Sequence, residues 1–387
     1  MTSTPTTPPR PFDVAGLFPQ LVPLARTATR LHPRPGAPSH QDSSIGGPLL
    51  WPVDEPWPHC EGPHVVRGSG PGQSPADVRL ERQICAVARG RALTVRERET
   101  LERIRPSREY PLKPTVTRYE GPIAMLPVAQ LYARDVPDLH APEGADLLQV
   151  LWCPFDHQAM PRTAVFWRSA ATVTDILTTP PEPAVMQSDG YLPEPCLLYP
   201  EQVTEYPDHL ELSKEHRERI GTWTTWQTVV ADVEEYASSA GVYYDQELAS
   251  APGWKVGGWP RWSATDPVPR LCPACGSDMD ALLTIASYES LANSSSWIPD
   301  EACEDRERTS PTSNGIGPEG QELIDFFRAQ GREVQLRGHI PAKAHATPVN
   351  VNPAPRQPTA IQLADGSDQQ LYICPADPEH PHAEMMH

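Results

Sequence analysis

The chain has 387 residues, of which 48 are proline and 39% are apolar, and acidic residues outnumber basic ones 50 to 32 for a net charge of −18. That length allows two or three domains, but proline at more than twice its usual share of about 5% excludes a fold built on long helices or long central strands. The acidic field repels a phosphate backbone and no apolar run approaches the roughly 18 residues of a membrane helix, so neither nucleic acid nor a membrane is expected as a partner.

Residues 1–40 form a Pro/Thr-rich N-terminal segment with one apolar run, Val14 to Leu31, which reads as a helix broken at Pro19 and Pro23. The segment carries no apolar core of a secretory signal, so a cytoplasmic location is expected. In that setting the eight cysteines read as thiols or metal ligands before disulfides, and the ten tryptophans argue against wholesale disorder.

From Gly46 a pattern begins that recurs from Gly257. The first copy reads Gly46-Gly47, Trp51, Pro56-Trp57-Pro58, Cys60; the second reads Gly257-Gly258, Trp262, Pro267-Val268-Pro269, Cys272. The two copies also end alike. Gly144-Ala-Asp leads through a short apolar run to Cys153-Pro154, and Gly366-Ser-Asp leads through another to Cys374-Pro375. Between these ends lie strand-like runs, Leu126 to Leu131 and Ala281 to Ile285. The fold class expected is therefore α+β and β-rich, an internal duplication of two similar halves with Pro-rich loops and a few helices. Residues 41–160 make the first repeat, with a charged insertion at 65–120; residues 161–254 connect; residues 255–387 make the second repeat.

In the insertion, Thr94 to Ile104 reads as a helix. The arginines between Arg79 and Arg108 are interleaved with Glu81, Glu97, Glu99 and Glu102, the pattern of a solvated helix face rather than a nucleic-acid arm. In the connector, Ala164 to Trp167 reads as a strand, Ser213 as the cap of a helix over Lys214 to Ile220, and Trp226 to Ala237 as a second, amphipathic helix. In the second repeat a polar loop, Glu301 to Gly317, leads to a helix over Glu319 to Ala329.

The chemistry-bearing residues fall at the ends of the two repeats. The first has Cys60-Glu-Gly-Pro-His64 and Cys153-Pro-Phe-Asp-His157, a Cys₂His₂ set of the ligand types zinc prefers. The second has Cys272-Pro-Ala-Cys275-Gly276, where the glycine permits the positive φ of a zinc knuckle, and Cys374 as third ligand. Its fourth ligand stays open: Asp377, His380 and His382 all lie within reach, and the spacing favours His380 or Asp377. Cys85, Cys196 and Cys303 have no partner at metal spacing and read as plain thiols.

These landmarks, with "VAQLYARDVPD" at 128–138, "LLQVLWCPFDH" at 147–157 and "KVGGWPRW" at 255–262, resemble the YwqG-like family of bacterial domains of unknown function. "YPEQVTEYP" at 199–207 resembles its long actinobacterial form. The resemblance covers roughly residues 40–380 and implies a duplicated, β-rich α+β fold. It implies no activity, substrate or catalytic residue, and Asp377 stands where related chains often carry a second cysteine.

Three functions follow as expectations. The first is a non-enzymatic binding or interaction module with structural zinc sites and a protein or peptide partner, for which Trp51, Trp57, Trp259 and Trp262 either line a cleft or simply fill the core. The second is a metal-dependent hydrolase whose second metal site keeps an open position. The third is an immunity-like protein whose acidity suits a basic toxin.

Overall fold

Most of the strands are short, but Leu147–His157, a central strand of 11 residues, runs through Pro154 against the expectation that proline would exclude long central strands. The computed structural model describes residues 7–68, 72–105, 115–233, 243–262, 265–290, 296–299 and 357–387. Its strands are β1 (Arg26–Arg30), β2 (Arg34–Pro35), β3 (Ser44–Ile45), β4 (His59–Cys60), β5 (His64–Gly68), β6 (Thr115–Tyr119), β7 (Ile123–Ala124) and β8 (Leu126–Tyr132). They continue with β9 (Leu147–His157), β10 (Met160–Arg168), β11 (Cys196–Leu197), β12 (Glu201–Glu205), β13 (Lys255–Gly257), β14 (Asp280–Ile285), β15 (Gln369–Ile373) and β16 (Ala383–Met386). The α-helices are α1 (Val14–Leu17), α2 (Pro75–Val87), α3 (Val95–Ile104) and α4 (Lys214–Val233). This is a β-rich α+β fold, and no helix among the described residues is long and apolar enough to cross a membrane. Cys303, the loop over Glu301 to Gly317 and the helix expected over Glu319 to Ala329 lie outside the described residues.

Ten of the strands fall into five matched positions in two antiparallel sheets, and an outer strand completes each. One sheet runs β12-β1-β13-β14-β15-β16 and the other β2-β11-β3-β8-β9-β10. The registers match residue by residue. Ser44 and Ile45 stand opposite Gln130 and Ala129 in one sheet; Lys255 and Val256 stand opposite Thr284 and Leu283 in the other. Both sheets bulge at the same step, between Pro127 and Ala129 and between Ala281 and Leu283. Across the next ladder Gln149 Nε2 donates to Gln130 Oε1 at 2.9 Å, and Thr284 Oγ1 donates to Gln370 Oε1 at 2.6 Å.

One apolar layer joins the sheets. It takes Val128, Leu148, Val150 and Trp152 from one sheet and Val256, Leu283, Ile285 and Leu371 from the other. Each such buried aliphatic or aromatic side chain contributes about 1.5–3 kcal/mol, so this layer dominates the stability of the fold. Side chains alternate along a strand, so the intervening residues face outward. Leu151, Cys153 and Phe155 of β9 enter a second cluster with Trp51, Trp57 and Cys60. Tyr372 and, two residues on, Cys374 enter a third with Cys272 and Met279.

Several expectations change in the structure. The run Val14 to Leu31 becomes α1, a 3-10 turn over Pro19–Leu24 and then β1, an internal strand of the first sheet. Ser74 caps an additional helix, α2, with Pro75 in its first turn. α3 follows the expectation, starting after Thr94, which forms a capping box with Glu97, and ending at Ile104. The helix expected over Lys214 to Ile220 and the one expected from Trp226 are joined in α4 as far as Val233, because Gly221 is tolerated inside a helix at about 1 kcal/mol; residues 234–237 of the second lie outside the described residues. Arginines of the charged insertion are bound to carboxylates: Arg79 to Glu182, Arg82 to Glu194, Arg91 to Glu97 and Arg105 to Glu81. The tryptophans do not line a cleft. Trp51, Trp57, Trp259 and Trp262 are all buried, and each indole N–H donates inside the protein, to Glu55, Met125, Leu24 and Glu211 respectively.

Candidate metal centres

The two outward-facing clusters each gather four Cys and His side chains. Cys60, His64, Cys153 and His157 form one, and Cys272, Cys275, Cys374 and His380 the other. Within each, the four ligand atoms all lie within 4.8 Å of one another.

The first cluster depends on an irregular strand. Cys153 and His157 are four residues apart, about 13 Å in a straight strand. The β9–β10 ladder shifts register here: Thr163 pairs with Trp152, yet Pro161 already pairs with Asp156. Four steps along β9 are matched by two along β10, so β9 carries two extra residues and curls. Pro154 sits in this curl and needs no ladder partner there, since β8 begins opposite Trp152. The strand therefore passes through Cys153-Pro154 and continues to His157. Gln187 pins the curl, its amide N–H donating to Pro154 O at 2.9 Å and its Oε1 accepting from the Asp156 amide at 3.0 Å. On the facing side β4 ends at Cys60, and Gly62, at φ +91°, turns the chain back so that His64 opens β5. Cys60 Sγ then lies 3.4 Å from His157 Nε2. His64 Nε2 is buried with no hydrogen-bond partner among the described residues.

Electrostatics suit ligation by neutral imidazole. Burial, aided by Arg162 and His64, drives His157 down to about 4, and burial with Arg162 also lowers His64. Burial first, and then Cys60, push the Cys153 thiol well above its ordinary range, so a cation is what would draw its proton off.

The second cluster is built on a hairpin. Leu271 bridges Asp278, the Cys272 amide donates to Ser277 O and the Gly276 amide to Cys272 O, both at 2.8 Å, and Gly276 takes φ +75°. The hairpin leads into β14, whose Asp280 pairs with Ile373, which sets the knuckle beside Cys374. A turn from Asp377 then folds His380 back, its amide donating to Asp377 O at 3.1 Å. His380 Nδ1 lies 3.5 Å from Cys272 Sγ and 3.4 Å from Cys374 Sγ, and Cys275 Sγ lies 3.5 Å from Cys374 Sγ. Hydrogen bonds from Ser277 bring the exposed Cys275 thiol down to about 6, whereas burial raises Cys374.

The structure thus brings His380 to the fourth corner. Asp377 stands behind it, its Oδ2 3.7 Å from the far nitrogen Nε2 of His380. His382 points elsewhere, to Thr163 Oγ1 at 2.9 Å. Ser277 and Arg162 act on these sites without having stood out in the sequence. Ser277 follows directly on Cys-x-x-Cys-Gly, a signal that was there to read; Arg162 reaches its site only through the curl of β9. Cys85 and Cys196 lie outside both clusters. No protein-family model matches the chain and no curated protein matches it.

Proposed function

We propose that each cluster holds one zinc ion in a closed, structural site and that the protein works as an interaction module rather than an enzyme. The observation that carries this reading is the spacing of the donor atoms. Zinc at about 2.3 Å from sulfur and about 2.0–2.1 Å from nitrogen sets tetrahedral edges of about 3.5 Å (S–N) and about 3.8 Å (S–S). The S···N separations of 3.4–3.5 Å and the S···S separation of 3.5 Å fall on or near those edges. The orphaned Nε2 of His64 is one further nitrogen in need of an electrophile.

Four protein donors per ion leave no position for water or substrate, which a hydrolytic site requires. In this reading His380 fills the corner a catalytic water would take, and Asp377 orients His380 from behind. Each ion would tie the end of a central strand to the loop segment covering its sheet. The matched order and register of the two sheets support a duplication of one unit, in keeping with the YwqG-like resemblance.

X-ray absorption at the zinc edge of the purified protein tests this. The two sites together predict five sulfur and three nitrogen neighbours over two four-coordinate ions. Five- or six-coordinate spectra dominated by oxygen would overturn the reading.

A further inference from the structure

The two clusters differ in how their sulfurs meet solvent. Cys60 and Cys153 of the first are buried, as are Cys272 and Cys374 of the second; Cys275 is exposed. Its sulfur lies 3.5 Å from Cys374 Sγ. A disulfide requires about 2.05 Å, so the two sulfurs need approach by only about 1.5 Å. The moving partner sits on a turn with room around it: a Cβ built on the adjacent Gly276 meets nothing within 4 Å. Cys374, by contrast, is held at the end of β15.

We propose that Cys275 is a peroxide-reactive modification site, and that its oxidation joins it to Cys374 and opens the second metal centre while the first stays closed. The proposal rests on the reading of the second cluster as a zinc site. The oxidant is a hydroperoxide. The Cys275 thiolate sulfur attacks the peroxide oxygen, the O–O bond breaks, hydroxide leaves and a sulfenic acid forms. The Cys374 thiolate then attacks the Cys275 sulfur; the S–S bond forms, the S–O bond breaks and a second hydroxide leaves. Two sulfur-centred electrons pass to one peroxide. The site keeps only Cys272 and His380, too few donors to hold zinc tightly. Reduction by a dithiol reverses the step. The first cluster is spared because both of its sulfurs lie beneath the apolar cluster around Trp51 and Trp57.

The experiment uses the full chain with its zinc counted by elemental analysis beforehand. Hydrogen peroxide is added, released zinc is followed with a chromogenic chelator, and disulfides are mapped by peptide mass spectrometry. The expected result is release of one of two zinc equivalents with a Cys275–Cys374 crosslink. Dithiothreitol and added zinc should restore the site. Cys275→His keeps four donors but cannot form the bridge, and should release zinc at least about tenfold more slowly. Cys85→Ser should behave as wild type. Release from both sites at one rate, or a Cys272–Cys275 bridge as the first product, would overturn the proposal. A chain with two zinc ions that keeps both overturns this proposal alone; a chain with no zinc before peroxide overturns the metal reading beneath it.

Discussion

Cys153 and Cys374 occupy the same place in the two sheets. Each directly follows the residue paired with the first position of the neighbouring strand, Trp152 opposite Leu126 and Ile373 opposite Asp280. Each turns away from the apolar layer that joins the sheets, into its own outer cluster. The two Cys and His clusters therefore extend the two central ladders at corresponding ends.

Asp377 separates two roles. On the proposed reading its carboxylate, 3.7 Å from His380 Nε2, orients the ring electrostatically, and Asp377→Asn should weaken metal binding at the second site by about 10–100-fold while leaving coordination by three sulfurs and one nitrogen intact. Competition with a chelator of known affinity measures the first, and the cobalt-substituted spectrum the second. Loss of one protein donor from that spectrum would make Asp377 a ligand.

Gly258, after β13, has a steric reason to be glycine. Gly258 takes φ +72°, and a Cβ there would press on the Glu205 carboxylate and lie 2.6 Å from Ala28 Cβ. Left-handed backbone costs about 1–2 kcal/mol for alanine and overpacking about 1–3 kcal/mol more. Gly258→Ala should therefore cost about 3 kcal/mol in urea denaturation. Gly90, at φ +80° with nothing within 4 Å of its Cβ position, supplies the comparison, and Gly90→Ala should cost only about 1–2 kcal/mol. Equal losses would contradict the packing argument.

Glu205 is itself half of a buried pair. Lys255 Nζ donates to its two oxygens at 2.8 and 2.9 Å, and the carboxylate also accepts from the amides of Ala251 and Trp259. Lys255→Met leaves this carboxylate buried without its cation and should destabilise the protein by about 3–5 kcal/mol. The double variant Lys255→Met/Glu205→Gln should recover part of that loss. A double variant no more stable than Lys255→Met would show that the amide contacts, not the charge, carry the site.

A pH dependence follows from Glu289. It lies beside Arg30, accepts the Trp254 amide and feels Asp368, but burial prevails and lifts it from 4.5 to about 7. The unfolded chain thus ionises this group first. Its contribution is fully present below about pH 4.5 and is lost as pH rises to about 7. The stability difference between wild type and Glu289→Gln should therefore shift against the wild type between pH 5 and pH 7.5. A difference independent of pH would contradict the lifted carboxyl.

Much of the architecture was legible because the landmarks are covalent and local. The apolar runs before Cys153 and Cys374 read as strands, Cys272-x-x-Cys275-Gly276 as a tight turn, and Thr94 and Ser213 as caps. What escaped was set by tertiary pairing. β1 and β12 flank one another only once the sheet forms, so the N-terminal segment did not read as a strand. The curl of β9 that brings His157 to Cys60 depends on how β10 pairs, and the choice of His380 over Asp377 depends on a turn after β15. The tryptophans illustrate the converse: aromatic loops read equally as cleft or core, and only burial decides between the two.

The most direct test is metal content. Elemental analysis of the purified chain should give two zinc ions per molecule, falling to one in Cys60→Ser and to one in Cys272→Ser, with each variant losing a different ion. A wild-type chain that carries no metal, or variants that still carry two, would contradict the account.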